Sequence, residues 1–319
     1  MQNRKDELDR FKSEINLCEY ACALYGFVLD QRLSSRCSVV LRHSNGDKLI
    51  VTRRPNRHHV YFNVKGDDSG SILDFIQARK NVSLGKIRQE LRAWSAVDLN
   101  LQATSNPIVL EPSQHDAGRV LKTWVKTRAV AEDNDYLTNQ RQIPSSVISN
   151  PVFDGQLRTD ERNNVLFAHR NFAGDLSGFE IKNRRFNGFA PGGIKTLFQS
   201  APTPGAETAV LCESGIDLLS VAAIFGTQRK RFFSTAGQIS PLQIECVIGC
   251  LRSMTDLKTT WLAFDNDEAG IRLGERFESE IIKAFPSCQI VFKLPDAPGS
   301  DWNDQLKAQQ LAAGSKPAP

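Results

Sequence analysis

Carboxylates that follow short apolar runs are the residues of this sequence best suited to chemistry. Glu213 follows Ala209-Val210-Leu211-Cys212, and Asp265 and Asp267 follow Trp261-Leu262-Ala263-Phe264. Asp301 and Asp304 follow the run Gln289 to Leu294 after a short loop. Acidic groups delivered to one edge repel one another strongly unless a cation sits between them. Oxygen-only donors favour Mg²⁺ or Mn²⁺ over zinc. Glu213, Asp265 and Asp267 are therefore the candidate catalytic and metal-binding residues. Asp301 and Asp304 are further candidate ligands, although Asp301 could equally cap the last helix.

The elements that must position these groups alternate from Thr208 onward. Strands are expected at Thr208 to Cys212, Arg231 to Ser234, Thr260 to Phe264 and Gln289 to Leu294. Helices are expected at Ile216 to Phe225, Pro241 to Arg252 and Ala269 to Phe285. Near-continuous apolar strands between amphipathic helices imply an α/β fold, a parallel sheet with helices on both faces. In such a sheet ligands gather beyond the carboxyl ends of the strands, where the acidic residues fall.

Upstream the pattern is α+β. A helical period runs from Asp6 to Ala23, with apolar residues at Leu8, Phe11, Ile15, Leu17, Cys18 and Cys22. Strand-like runs follow at Ser38 to Leu41, Lys48 to Thr52 and His59 to Val64, separated by the turns Asn45-Gly46-Asp47 and Pro55-Asn56. Helices are expected at Ile72 to Arg79 and Leu84 to Trp94. The division that results is a module over 1–95, a linker over 96–118, and a basic α+β subdomain over 119–205. The strand-rich catalytic domain over 206–312 and a disordered tail over 313–319 complete it. The basic subdomain opens on a helix, Arg119 to Ala129, and carries strands at Asn164 to His169 and Gly178 to Lys182.

The sequence Glu213-Ser214-Gly215-Ile216-Asp217, then Ser234-Thr235-Ala236-Gly237, then Asp265-Asn266-Asp267-Glu268-Ala269-Gly270 resembles the three successive motifs of the toprim domain. DnaG-type primases, type IA and II topoisomerases and OLD-type nucleases share that domain. The resemblance covers about a hundred residues and implies a Mg²⁺-dependent site with Asp217 in support of its ligands. Tyr136-Leu137, Gln140 to Ile143, Gly178-Phe179-Glu180 and Lys195 to Phe198 are similar to a degenerate DnaG primase core, in which Arg185 and Lys195 would contact phosphate. The N-terminal module is similar to the zinc ribbon of those primases with Tyr61-Phe62-Asn63-Val64 where paired cysteines belong. Cys37 and His43 alone cannot complete a tetrahedral site, so no zinc is expected. Arg53, Arg54 and Arg57 would offer a basic strand surface instead, with Tyr61 or Phe62 available to stack on a base or to pack in the core.

The layout resembles the primase-like toprim proteins of bacterial plasmids and integrative elements. That resemblance implies single-stranded DNA and nucleoside triphosphates as ligands, with a replicative helicase or relaxase of the same element as protein partner. Primase-type nucleotidyl transfer, metal-dependent nuclease action and nucleic-acid binding by a vestigial site all stay open. A topoisomerase is disfavoured, because no breakage domain with a catalytic tyrosine is evident.

Charge fits a polyanionic partner. Residues 1–100 hold 17 lysines and arginines against 12 acidic residues, whereas residues 208–319 hold 11 against 13. No apolar stretch approaches membrane-span length. The charged start MQNRKDELDRFKSE lacks a signal-peptide core, so a cytoplasmic protein with its seven cysteines as free thiols is expected.

Overall fold

Asn16 divides the expected first helix in two. Its side chain accepts the Cys18 N–H at 3.1 Å and donates to the Ile108 carbonyl at 2.7 Å. The first of these bonds satisfies an N–H that a helix start leaves open, so a new helix begins there. The chain therefore forms α1 (Gln2–Glu14) and α2 (Leu17–Tyr25). The computed structural model describes residues 2–54, 56–64, 68–96, 108–112, 115–237 and 239–314, with the side chains of 2–5 and 314 excepted. Pro55 of the expected turn, Gly66 and Asp67 of the ribbon-like turn, residues 97–107 and 113–114 of the linker, and residues 315–319 of the tail lie outside the described residues. The chain forms two compact units, 1–114 and 115–319.

The first unit continues with β1 (Val28–Leu29), β2 (Ser38–Arg42), β3 (Lys48–Arg53), β4 (His59–Asn63) and β5 (Ser69–Gly70). Helices α3 (Ile72–Lys80) and α4 (Leu84–Ala96) follow. The strands form an antiparallel meander in sequence order, and each expected strand is present to within one residue. Alternation along β3 and β4 sends Leu49, Val51 and Tyr61 into one core with Phe11, Tyr20, Phe75 and Leu91. Tyr61 is buried, its ring edge-on to Phe75 and its hydroxyl donating to Asp68 at 2.8 Å. It is a core residue, while Phe62 is half-buried.

His59 on β4 is 6% exposed, and its Nδ1 has no partner. Burial, with the Arg53 charge beside it, pushes the imidazole down to about 4. The folded chain thus holds His59 neutral where the unfolded chain, titrating near 6.5, takes up a proton. Stability from this group is complete above about pH 6.5 and is lost as pH falls toward 4. Hydrogen exchange of the β3 and β4 amides, corrected for intrinsic rates, should show a loss on the order of 2 kcal/mol over that window. His59→Gln should flatten this dependence. An unchanged pH profile in the variant would dismiss His59 as the cause.

The second unit begins with α5 (Ala117–Trp124), β6 (Arg128–Ala129), α6 (Ser145–Ile148), β7 (Leu157–Thr159), β8 (Val165–Arg170), β9 (Leu176–Lys182), β10 (Asn187–Phe189) and β11 (Leu197–Gln199). It continues β12 (Thr208–Cys212), α7 (Gly215–Phe225), β13 (Lys230–Ser234), α8 (Pro241–Arg252), β14 (Thr259–Ala263), α9 (Glu268–Ala284), β15 (Gln289–Lys293) and α10 (Trp302–Gly314). The expected basic helix stops at Trp124 and the chain turns into β6. Conversely, α10 carries the chain through Ala313 and Gly314, where a disordered tail is expected.

Strands β13-β12-β14-β15 are parallel, and antiparallel β11, β8, β9 and β10 extend the same sheet. The turn around Pro202, Pro204 and Gly205 does not interrupt it, because β11 pairs with β13. Strand alternation splits the core into two layers. Val210, Cys212, Phe232 and Ala263 pack with α7 and α10, while Ala209, Leu211, Phe233 and Leu262 pack with α8 and α9. Helices therefore cover both faces, as the apolar strands require. Among the described residues no helix is long and apolar enough to cross a membrane.

Candidate active site

Strand order fixes where the carboxylates emerge. From β12 the chain crosses by α7 to β13 on one side; from β14 it crosses by α9 to β15 on the other. The neighbours β12 and β14 thus form the topological switch point, the crevice where open α/β sheets bind ligands. Glu213 leaves the end of β12, and Asp265 lies two residues beyond β14. The register pairs Cys212 with Ala263, so the two carboxylates leave adjacent strands at nearly the same level.

Two turns hold them. In the first, Gly237 (φ +86°) donates its N–H to the Glu213 carbonyl at 2.8 Å, and Ser234 Oγ donates to the same carbonyl at 3.2 Å. The Ser234–Gly237 turn therefore fixes the Glu213 backbone, with Ala236 also in the left-handed region at φ +58°. In the second, Asn266 donates its N–H to the Ser300 carbonyl at 3.0 Å and its amide to the Pro295 carbonyl at 2.8 Å. The Asp265–Asp267 loop is thereby tied to the loop that carries Asp301. Asp267 caps α9, its Oδ1 accepting the Gly270 N–H at 2.7 Å.

Electrostatics single out Asp265. Burial, then Asp217, Glu213, Asp301 and Asp267, push its carboxyl up to about 8, and its Oδ1 is buried with no partner. Glu213 is raised by burial and by Asp217 and Asp267, against the pull of Lys195 and a hydrogen bond with Asp265. Asp217 is 4% exposed, and burial raises it to about 6 even though Ser214 Oγ donates to it at 2.6 Å. Among the described residues no three His, Cys, Asp or Glu side chains converge closely enough to hold a metal ion as they stand. The carboxylates feel one another's charge, but Asp217, Asp267 and Asp301 are each engaged by a hydrogen bond of their own. A half-buried all-oxygen donor set with mutual repulsion and one orphaned oxygen nevertheless suits a hard divalent cation.

Not every expected residue joins the cluster. Asp301 caps the last helix, its Oδ1 accepting the Asp304 N–H at 2.7 Å to start α10, and its charge also raises Asp265 and Asp217. Asp304 itself is exposed on the first turn of that helix. Lys195 Nζ donates to the Ala236 carbonyl and feels the charge of Glu213. Arg185 is exposed on the turn between β9 and β10 and lines a cavity of about 370 Å³ together with Asp217 and Asp301. Arg53, Arg54 and Arg57 lie on the β3–β4 turn of the first unit, where Arg53 Nη1 donates to the Leu110 carbonyl at 3.4 Å.

Sequence reading missed a buried polar group beneath this cavity. Glu180 on β9 is 4% exposed, and burial would raise its carboxyl. Lys182 Nζ at 3.0 Å and His169 Nε2 at 3.4 Å outweigh that and hold it at about 2. Lys182 also lines the cavity and draws Asp217 toward its charged form. Polar residues at inward positions of the apolar strands β8 and β9 were the available signal.

Residues 210–306 match the Toprim-like family model, and residues 135–205 match that of a protein family of unknown function, DUF3991. The C-terminal part of the chain is thus a Toprim-like domain. Among solved structures, the primase fragment of the bacteriophage T7 primase-helicase is 14% identical, covering 67% of this chain and 84% of its own, with a TM-score of 0.39. The DnaG primase catalytic domain bound to ssDNA is 14% identical, covering 61% and 77%, at 0.38. The zinc-binding and RNA polymerase domains of Aquifex aeolicus primase are 14% identical, covering 96% and 84%, at 0.33. Comparison with curated proteins finds no match.

Proposed function

We propose that this chain is a primase-type nucleotidyltransferase that uses Mg²⁺ or Mn²⁺ on a single-stranded DNA template. The observation that supports it most is that Glu213 and the Asp265–Asp267 loop leave neighbouring strands at the β12/β14 switch point of a Toprim-like domain, where Glu213 and Asp267 both act on the charge of Asp265. Glu213, Asp265 and Asp267 would hold the cation, with Asp301 beside them. The cation would supply positive charge for a triphosphate and for the transferring phosphorus. Glu213, already raised by burial, is suited to take the proton of an attacking 3′-hydroxyl at its carboxylate oxygen. Lys195 and Lys182 add positive charge that acts on Glu213 and Asp217, and Asp217 orders the Ser214 turn that starts α7.

Purified protein incubated with single-stranded DNA, labelled nucleoside triphosphates and Mg²⁺ or Mn²⁺ tests this directly. Labelled products that lengthen with time are expected. Shortening of an end-labelled strand without incorporation would replace the reading with a nuclease built from the same carboxylates. Inertness under both cations would remove the catalytic assignment.

A further inference from the structure

Three cavities of the second unit share their lining. The 370 Å³ cavity at the acidic cluster and a larger one of about 900 Å³ both use Tyr136, Asn183, Arg184 and Arg185. A third, about 480 Å³ beside α5, joins the first through Phe186 and the second through Arg162. The shared element is the β9–β10 turn, Asn183 to Phe186. A trough of this kind suits a polymer better than a single small molecule.

The turn is built to hold an aromatic ring in the open. Asn183 donates its N–H to the Phe186 carbonyl at 2.9 Å, and its Oδ1 accepts the Arg185 N–H at 2.7 Å. Its amide also donates to Asn164, which is fixed in turn by Asp160 at 2.7 Å. The turn is thereby anchored to its neighbour between β7 and β8. Phe186 is 51% exposed, a large apolar surface for a turn otherwise made of asparagine and arginine. Its ring lies against Gly188: a Cβ there would come within 2.7 Å of the ring carbons. Glycine lets one side of the ring rest on backbone while the rest faces solvent. Exposed Arg184 and Arg185 precede it, and exposed Arg119, Lys122 and Lys126 line the adjoining cavity, where half-buried Asp160 and exposed Glu161 are the opposing charges.

We propose that Phe186 is a stacking platform for an unpaired base of single-stranded DNA, with the preceding arginines on its phosphates. An aromatic face beside cations is the chemistry that holds unpaired nucleic acid, because every base has a π-face and every nucleotide a charge. The inference rests on the nucleic-acid reading above and adds to it the place where the strand is gripped. Phe186 is exposed and supports no core cluster, so its replacement leaves the fold intact.

Fluorescence anisotropy at several salt concentrations, with the full chain, tests it using a short oligothymidylate and the same strand made abasic. Wild-type protein should prefer the strand with bases by about 5-fold or more, the size of one base–aromatic stack. Phe186→Ala should lose that preference while keeping the salt slope, since the phosphate contacts stay. Phe186→Trp should retain it, Gly188→Val should behave like Phe186→Ala by displacing the ring, and Arg276→Glu on α9 should change nothing. If wild-type protein binds the strand and Phe186→Ala keeps the full preference, the platform is overturned and the broader reading stands. If wild-type protein binds neither strand even at low salt, both fall.

Discussion

Replacing Asp265 by asparagine should make the protein more stable and inactive at once. The carboxyl of Asp265 is half-buried and feels the charges of Asp217, Glu213, Asp301 and Asp267, and its buried oxygen has no hydrogen-bond partner. In the folded chain ionisation is therefore opposed, both by lost hydration and by like charge. Unfolding frees the group to ionise near its ordinary pKa, so above about pH 4 this carboxyl favours the unfolded state increasingly until pH 8. Asparagine is nearly isosteric and has no charge to accommodate. A gain on the order of 1–2 kcal/mol at neutral pH, or a few degrees in Tm, is expected. Activity should fall by ~10²–10³-fold or more, because the group that would neutralise a bound cation is gone. The cation itself supplies a second readout. Adding Mg²⁺ should raise the Tm of the wild-type protein by mass action and raise that of Asp265→Asn much less. Calorimetry with and without Mg²⁺, beside the incorporation assay, checks all three; a variant that is destabilised and still responds fully to Mg²⁺ would contradict the assignment.

Most of the Toprim-like domain was legible because its information is local. Glu213 follows β12 at once and Asp265 lies two residues beyond β14, so Glu213, Asp265 and Asp267 could be placed at strand ends from spacing alone. Asp301 carried two readings in the sequence, and the cap is the one seen, since a carboxylate at a helix start accepts an N–H while its charge still reaches Asp265 and Asp217. Asp304 could not be separated from it, because only the phase of α10 decides that its side chain faces solvent. Asn16 defeated the apolar period of the first helix because one capping side chain outweighs a hydrophobic pattern that continues past it. The triad His169, Glu180 and Lys182 was hidden for another reason. It exists only because β8 and β9 pair so that His169 and Glu180 share a face, which is a relation between strands. The continuity of the sheet is likewise long-range: Phe198 meets Ser234 across a loop and two further elements.

Gly270→Ala should be among the most damaging single-methyl changes in the protein. The glycine lies in the first turn of α9, in the Asp265–Gly270 motif, and its φ is ordinary, so freedom of the backbone is not what it provides. It provides room. A Cβ at this position would overlap the carbonyl oxygen of Asp265 and approach its backbone nitrogen to 2.9 Å. Both obstructing atoms are main chain, and neither can rotate away. The loop is also pinned from the other side, through Asn266 to Pro295 and Ser300, so it cannot retreat without breaking those bonds. Gly274, one turn along α9, offers the contrast. A Cβ there would come within 2.6 Å of the Phe292 ring, but that ring is 38% exposed and can swing outward. Overpacking against fixed backbone should cost about 2–3 kcal/mol, or roughly 5–10 °C in Tm for a unit of this size, and Gly274→Ala clearly less. Because the displaced atoms belong to Asp265, the activity of Gly270→Ala should be lost even at temperatures where it remains folded. Thermal melts and incorporation assays on both variants decide it: equal melting temperatures, or an active Gly270→Ala protein, would mean that the close approach of α9 does not hold Asp265 in place.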